Sequence, residues 1–132
     1  MKKILFVCVE NAGRSQMAEG FFRKYLPKGF EPISAGTNPS NKVNSIVIQV
    51  MNEIGIDISK QIPKLISNDM IKDSKVVNMG CMDKTSCPAL FLENVDDWNI
   101  PDPKEKPIEQ VREIRDQIEK KVIEFVVNLK MN

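Results

Sequence analysis

The sequence has no histidine, and this absence limits the chemistry that its 132 residues can perform. Catalysis by a Cys-His pair is excluded, and a zinc site is not expected without imidazole ligands. Cysteine is scarce as well, because three cysteines are an odd number that does not suit a structural disulfide framework. Any reactive thiol must therefore be activated by the loop around it and by an arginine, not by a neighbouring base.

Excess charge and long apolar runs are also missing. The net charge is +1, which implies no broad affinity for nucleic acids or membranes, so any selectivity for anions must be local. No apolar run is long enough to span a bilayer. The first apolar run covers only residues 4–7, which is too short for the core of a signal peptide, and a cytoplasmic location is predicted.

Apolar segments of two kinds alternate along the chain and predict its fold. A nearly continuous apolar run predicts a buried strand at residues 3–7, and further strands are predicted at residues 30–34, 75–79 and 89–92. Helical spacing predicts helices at residues 15–26, 68–73 and 108–129, and another that contains Val47, Val50, Met51 and Ile54 and ends at Gly55. The alternation predicts a three-layer α/β fold, with a four-stranded parallel sheet covered by helices on both faces, in a single domain of residues 1–132. In such a sheet the ligand site lies at the carboxyl ends of the strands.

The segment Cys-Val-Glu-Asn-Ala-Gly-Arg-Ser at residues 8–15 lies between the first predicted strand and the first predicted helix. A loop that wraps onto a helix N-terminus directs its backbone N–H groups, and the positive end of the helix dipole, at one point. A tetrahedral oxyanion such as phosphate or arsenate suits that point. The predicted anion-binding residues are Cys8, Val9, Glu10, Asn11, Ala12, Gly13, Arg14 and Ser15.

Several side chains of this loop have expected roles. Arg14 adds a planar, two-pronged contact to the anion, and the same positive field favours the nucleophilic thiolate form of Cys8. Ser15 donates a hydrogen bond to that sulfur. Gly13 permits a backbone conformation that a side chain would oppose, and Asn11 holds the loop through bonds to its backbone. The alternative is a buried cysteine beside an unrelated surface arginine, and the combination of strand, Arg-Ser and helix argues against that coincidence.

Residues 8–15 resemble the phosphate-binding loop of the low-molecular-weight protein tyrosine phosphatase fold. The resemblance covers nearly the whole chain and includes Ser-Ala-Gly-Thr at residues 34–37, Ile-Gly-Ile-Asp-Ile-Ser at residues 54–59 and Trp-Asn-Ile-Pro-Asp-Pro at residues 98–103. Within this fold the chain resembles the thioredoxin-coupled arsenate reductases, because it has a second cysteine region with Cys81 and Cys87.

The resemblance implies a relay of three thiols. Cys8 attacks arsenate, Cys81 attacks the Cys8 sulfur and releases arsenite, and Cys87 attacks Cys81 to form a disulfide that thioredoxin or a similar protein reduces. The residues alone leave open that Cys81 and Cys87 are small buried apolar residues. The polar stretch between them, at residues 82–86, argues against burial.

The resemblance also implies that Asp102 is a general acid that protonates the departing oxygen. The residues alone leave open that Asp102 is a simple turn residue between two prolines. Asp96 and Asp97 are alternative candidates for the acid, because they too are carboxylates. Arsenate reduction, with residual phosphatase activity, is the leading interpretation. A low-molecular-weight protein tyrosine phosphatase or a small-phosphoester phosphatase is the alternative. A third is an oxyanion-binding or redox-sensing protein without turnover, which would have no need of an acid.

The chain departs from the family pattern beside the loop. Some members bind potassium through residues that match Asn11, Glu19 and Ser34 and through a further carboxylate. Lys64 stands where that carboxylate is expected, so its ammonium is predicted to replace the ion, and no metal or other cofactor is expected. Glu10 is expected to point away from the anion that it would repel.

The expected partners follow from this interpretation. They are an arsenate or phosphate-like oxyanion and thioredoxin or a similar reductant. No nucleic acid and no membrane is expected to bind, and the chain is expected to be a monomer.

Overall fold

A computed structural model of the chain describes residues 2–72, 74–80 and 95–130. Strands and helices alternate along these residues. They are β1 (Lys2–Cys8), α1 (Arg14–Lys24), β2 (Phe30–Gly36), α2 (Ser45–Asn52), α3 (Asn68–Lys72), β3 (Ser74–Asn78), β4 (Val95–Asp97) and α4 (Ile108–Lys130). The strands of the described residues form one parallel sheet in the order β2-β1-β3-β4.

Strand β1 lies inside the sheet because it is apolar on both faces. Residues 4–7 have no exposed surface, as expected for a parallel strand that is covered from both sides. Cys8 lies opposite Gly36 of β2, and Val7 lies opposite Asn78 of β3. The carboxyl ends of three adjacent strands therefore meet near Cys8, at the edge where this fold class binds ligands.

Helices cover both faces of the sheet, as the sequence predicts. On one face, α1, α2 and α4 bury the larger apolar cluster, in which ring centroids are 5.8 Å apart for Phe6 and Phe22 and 6.0 Å apart for Trp98 and Phe125. Each such aromatic pair stabilises a core by about 0.5–1.5 kcal/mol beyond its buried area. On the other face, α3 and the segment before it cover a smaller cluster, which consists of Leu5, Val7, Ala35 and Val76.

The element boundaries agree with the sequence predictions to within two residues except at the fourth strand and at α2, which ends at Asn52 and leaves Ile54 in the turn that follows. The predicted strand at residues 89–92 lies outside the described residues, and the described fourth strand is Val95–Asp97, which the sequence does not predict. The turn after α2 is formed at Gly55 as predicted, with φ +82° at Gly55 and a 3.0 Å hydrogen bond from the Ile56 N–H to the Met51 carbonyl. None of the described helices is long and apolar enough to cross a membrane.

Candidate active site

The backbone of residues 8–13 is held from outside through its carbonyl groups. Six successive carbonyls accept hydrogen bonds of 2.8–3.3 Å, in chain order from the backbone of Thr37, Asn38 and Ser40, the side chain of Gln16, and the backbone of Asn44 and Met17. Within the described part of the chain, the backbone N–H groups of residues 10–15 donate to no protein acceptor. Because the N–H of a peptide unit points opposite to its C=O, the loop turns its N–H groups inward, which is the arrangement of an anion-binding nest.

Asn11, Ser15 and Cys8 form a buried chain of hydrogen bonds behind the loop. The Lys64 backbone N–H donates to Asn11 Oδ1 at 3.0 Å, which orients the amide so that Nδ2 donates to Ser15 Oγ at 2.6 Å. The Ser15 hydroxyl hydrogen is then available to Cys8 Sγ, 2.9 Å away, where it can stabilise charge on the sulfur when Cys8 leaves an intermediate. Asn11 thus bonds a hydroxyl and a distant backbone N–H, whereas the sequence predicts bonds to the loop's own backbone.

Arg14 is the first residue of α1, and its side chain is only 7% exposed. Its Nη1 donates to the Ile100 carbonyl at 3.0 Å and to the Gly80 carbonyl at 3.3 Å. Its Nη2 lies 3.8 Å from the Asp102 carboxylate. Since a guanidinium has five N–H donors, these bonds fix the Arg14 side chain and leave donors for an anion.

Asp102 is the carboxylate at the mouth of the loop. Its Oδ1 accepts from the Lys104 backbone N–H at 3.0 Å, and its side chain is 57% exposed, so it can exchange protons with water. The alternatives by type, Asp96 and Asp97, lie on β4, where they face Lys75 and Asn78 respectively. Of these three carboxylates, Asp102 alone is in a position to act as the acid.

Two contacts hold the segment that carries Asp102 against the loop. Pro103 Cγ lies 2.9 Å from the position of a Cβ at Gly13, and φ at Gly13 is −137°, so the glycine is needed for this close approach and not for a left-handed backbone. Lys104 Nζ donates to Glu10 Oε1 at 2.8 Å, and this hydrogen bond raises the pKa of Lys104. Glu10 is among the residues that line the cavity, and Lys104 pairs the charge of its carboxylate. The expectation that Glu10 points away from the anion stays a prediction.

The groups converge on a cavity of about 20 Å³, and Cys8, Arg14 and Asp102 are among its lining residues. Since about 10–15 Å³ holds one water molecule, this innermost space suits a compact group such as an oxyanion. A wider cavity of about 630 Å³ adjoins Arg14, Gly80 and Asp102. The site therefore brings together Cys8, Arg14, Ser15 and Asp102, while the predicted Cys81 and Cys87 lie outside the described residues.

Comparison with known proteins agrees with this geometry. The family model of low molecular weight phosphotyrosine protein phosphatases matches residues 3–132. The chain belongs to this family. One relative, an arsenate reductase of Staphylococcus aureus strain Newman, is 39% identical over 119 residues, which cover 89% of this chain and 90% of that protein.

Two solved structures of arsenate reductases share the fold of this chain. An arsenate reductase in its phosphate-binding state matches with a TM-score of 0.85 and 34% identity, over 97% of this chain and 98% of the other. A thioredoxin-dependent arsenate reductase of Corynebacterium glutamicum matches with a TM-score of 0.82 and 32% identity, over 99% of this chain and 63% of the other. The predicted phosphatase-like fold and the predicted relation to arsenate reductases are confirmed.

The residues that match the potassium site of some family members are engaged with protein groups. Ser34 Oγ donates to the buried Glu19 carboxylate at 2.7 Å, Arg23 pairs with the same carboxylate at 3.3 Å, and Asn11 Oδ1 accepts from the Lys64 backbone. The Lys64 ammonium donates to a neighbouring backbone carbonyl at 3.3 Å, so the positive charge beside Glu19 comes from Arg23 and the predicted role of Lys64 is wrong. These oxygens are all engaged in hydrogen bonds within the protein, and the described residues hold no cluster of three or more His, Cys, Asp or Glu. The expectation that no cation is required stays a prediction.

Asn44, Lys104 and Gly80 take part in the site but are not predicted from the sequence. Asn44 precedes a helical run, which is a helix-capping signal, and its N–H also supports the loop. Lys104 and Glu10 are 94 positions apart, so only the fold brings their charges together. Gly80 directly precedes Cys81 and has φ +146°, a conformation that favours glycine but that no local sequence signal identifies.

Proposed function

We propose that this family member reduces arsenate to arsenite, with Cys8, Cys81 and Cys87 as the reacting thiols and a thioredoxin-type protein as the source of electrons. The observation that carries the proposal is the oxyanion loop, whose outward-bonded carbonyls leave inward N–H groups around the Cys8 thiol. The chain has two further thiols, which hydrolysis of a phosphoester does not need.

In the first step, the Cys8 thiolate attacks the arsenic atom of a bound arsenate. A sulfur–arsenic bond forms and an arsenic–oxygen bond breaks, and Asp102 supplies the proton with which the oxygen leaves as water. Arg14 and the loop N–H groups bind the remaining oxygens and balance their negative charge. Asp102 is suited to this role because it lines the same cavity as Cys8 and Arg14.

In the second step, the Cys81 thiolate attacks the sulfur of Cys8. A Cys8–Cys81 disulfide forms and the sulfur–arsenic bond breaks, and its electron pair stays with arsenic, which leaves as arsenite. Two thiols are thereby oxidised by two electrons while arsenic is reduced by two. Cys87 then attacks Cys81 and releases the Cys8 thiolate, and the dithiol of the reductant reduces the Cys81–Cys87 disulfide.

The sheet supports a short path between Cys8 and Cys81. Strands β1 and β3 are neighbours, and the Met79 N–H donates to the Val7 carbonyl at 2.8 Å. Neighbouring strands lie about 4.8 Å apart. The chain that leads into Cys81 therefore leaves the sheet beside the strand end that carries Cys8.

Hydrolysis of small phosphoesters is the second candidate function. It needs only a thiolate, an arginine and an acid, and Cys8, Arg14 and Asp102 line one cavity. The cavity of about 20 Å³ suits the phosphoryl group, and the wider cavity of about 630 Å³ beside Arg14 and Asp102 has room for the group to which the phosphate is attached. The two candidates share the first step and differ in whether a second thiol or a water molecule attacks the intermediate.

The test incubates fully reduced protein with arsenate without oxygen, and then measures arsenite and maps disulfides by mass spectrometry. We expect one arsenite per chain and a Cys81–Cys87 disulfide. Cys81→Ser should abolish arsenite release and keep aryl-phosphate cleavage, whereas Cys87→Ser should stop at a Cys8–Cys81 disulfide. If all thiols stay free in the native protein while it cleaves an aryl phosphate, the reductase proposal is refuted and the phosphatase replaces it.

We further propose that the chain acts as a monomer in the cytoplasm. A relay that ends in a thioredoxin-type partner requires a compartment in which thiols stay reduced. Sedimentation velocity of the reduced protein should give a mass near 15.0 kDa, and a species of twice that mass would contradict the monomer.

A further inference from the structure

The Arg14 guanidinium is bonded to two segments that lie far away in the sequence. Its Nη1 donates to the carbonyls of Gly80 and Ile100, which are 66 and 86 positions distant. Gly80 immediately precedes Cys81, and Ile100 lies two residues before Asp102. One buried side chain therefore joins the loop of the nucleophile to the segments that lead to the second thiol and to the acid.

These bonds divide the donors of Arg14 into two groups. Nη1 carries two hydrogens, and each has a carbonyl acceptor. The Nε and Nη2 hydrogens remain for the two-pronged contact with an oxyanion. The two backbone carbonyls thus determine the direction in which Arg14 presents its anion-binding edge.

The contact between Gly80 and Arg14 leaves no room for a side chain at position 80. A Cβ at Gly80 would overlap Arg14 Nη1 and lie 2.9 Å from the Ile100 carbonyl oxygen. The Gly80 N–H donates to Asn78 Oδ1 at 3.1 Å, so this residue is bonded on both sides. A side chain at position 80 would have to displace either the guanidinium or the backbone at the end of β3.

We propose that Gly80 is a positioning residue, which seats the Arg14 guanidinium for oxyanion binding and ties the start of the Cys81 segment to the same group. The first part concerns anion binding alone and is independent of the reductase proposal. The second part, which concerns Cys81, rests on the proposed function.

Gly80 also has φ +146°, so a glycine could be required for the backbone conformation alone. Gly29 provides the matched control, because it has φ +90° but nothing within 4 Å of the position of its Cβ. The positive φ disfavours alanine at either site, but only alanine at Gly80 meets Arg14. Gly55, with φ +82° and equally open space, is a second control.

The test titrates inorganic phosphate into Gly80→Ala and Gly29→Ala by calorimetry and follows thermal unfolding of both. Gly80→Ala should weaken phosphate binding about tenfold or more, the effect of misplacing one charge-assisted contact, while Gly29→Ala should bind as the native protein does. Native-like phosphate affinity in a folded Gly80→Ala variant overturns the proposal. Phosphate affinity does not depend on arsenite formation. The test can therefore refute the role of Gly80 without refuting the reductase proposal, and the reverse is also true.

A second measurement uses the native protein and does not depend on the folding of a variant. In ¹⁵N–¹H spectra of the Arg14 guanidinium, the two Nη1 hydrogens should stay protected from exchange when phosphate is added, while the Nε and Nη2 signals shift. Loss of protection at Nη1 on phosphate binding would show that the two carbonyls do not hold the Arg14 guanidinium when phosphate is bound, and it would overturn the proposal.

The Cys81 part is tested by turnover at saturating substrate. If Gly80 also positions Cys81, aryl-phosphate cleavage by Gly80→Ala should recover at high substrate, whereas arsenite release should stay at least fivefold below that of the native protein. Recovery of both activities would overturn this part and leave the anion-binding part unaffected.

Discussion

Asn11 provides a quantitative test of the loop, because its side chain makes two buried hydrogen bonds and its backbone is left-handed. Nδ2 donates to Ser15 Oγ at 2.6 Å, Oδ1 accepts from the Lys64 N–H at 3.0 Å, and φ is +53°. Asn11→Ala removes both bonds, at about 1 kcal/mol each, and puts alanine in a region that costs a further 1 kcal/mol or so. The free energy of unfolding should fall by about 3 kcal/mol.

The assay is urea denaturation at pH 7 of the native protein, Asn11→Ala, Ser15→Ala and the double variant. The cycle isolates the bond between Asn11 and Ser15, for which we expect a coupling of about 1 kcal/mol. Asn11→Ala should also slow the step in which the Cys8 sulfur leaves an intermediate, because the Ser15 hydroxyl loses the partner that orients it toward Cys8. A loss below 1 kcal/mol for Asn11→Ala, or a coupling near zero, would refute the assignment of these contacts.

Three other substitutions test one contact at the site and two contacts elsewhere in the fold. Lys104→Gln should raise the KM for arsenate about threefold at low salt, since Glu10 is left unpaired beside the anion, and adding Glu10→Gln should restore it; an unchanged KM would contradict this. The hydrogen bond from Arg112 lowers the pKa of Glu53 below its ordinary value of 4.5, so the pair stabilises the fold above that pH and the effect is lost as pH falls through the lowered pKa. Glu53→Gln should therefore lower the unfolding temperature at pH 7, and this difference should shrink as the pH falls below 4.5; an equal difference at every pH would refute the pairing. Gly20→Ala should destabilise the protein by about 1–3 kcal/mol, since its Cβ would lie 2.8 Å from a buried isoleucine methyl; the stabilisation usual for an exposed helical site would contradict that contact.

The sequence predicts most of the fold because most elements carry their own local signal. The apolar run at residues 4–7 indicates a buried strand, and the recurrence from Ile108 to Leu129 indicates the long helix α4. Strand β4 has no such signal, since Val95–Asp97 contains two aspartates and takes part in the sheet only through its pairing with β3. Tertiary pairing therefore determines what local propensity does not.

The candidate site divides in the same way. Cys8, Arg14 and Ser15 lie within eight residues, so their chemistry can be predicted from spacing alone. The reason for Gly13 cannot, because Pro103, which occupies the space of its missing side chain, is 90 positions away and is brought there by the loop after β4. The side chains of the loop were thus predictable, whereas the groups that position them depend on contacts between distant segments.

This division indicates where the specificity of the chain is determined. The bonds that orient Arg14 and pair Glu10 span 66 to 94 positions, and their partners Gly80, Ile100 and Lys104 follow β3 or β4. The sheet order β2-β1-β3-β4 brings these segments to the edge that holds the oxyanion loop. A loop that binds phosphate and arsenate alike cannot by itself choose between hydrolysis and reduction, since both begin with the same attack by the same thiolate. The choice must depend on what approaches the intermediate from the neighbouring strand ends, so substitutions after β3 and β4 should change the ratio of the two activities more than substitutions within the loop, which should lower both together.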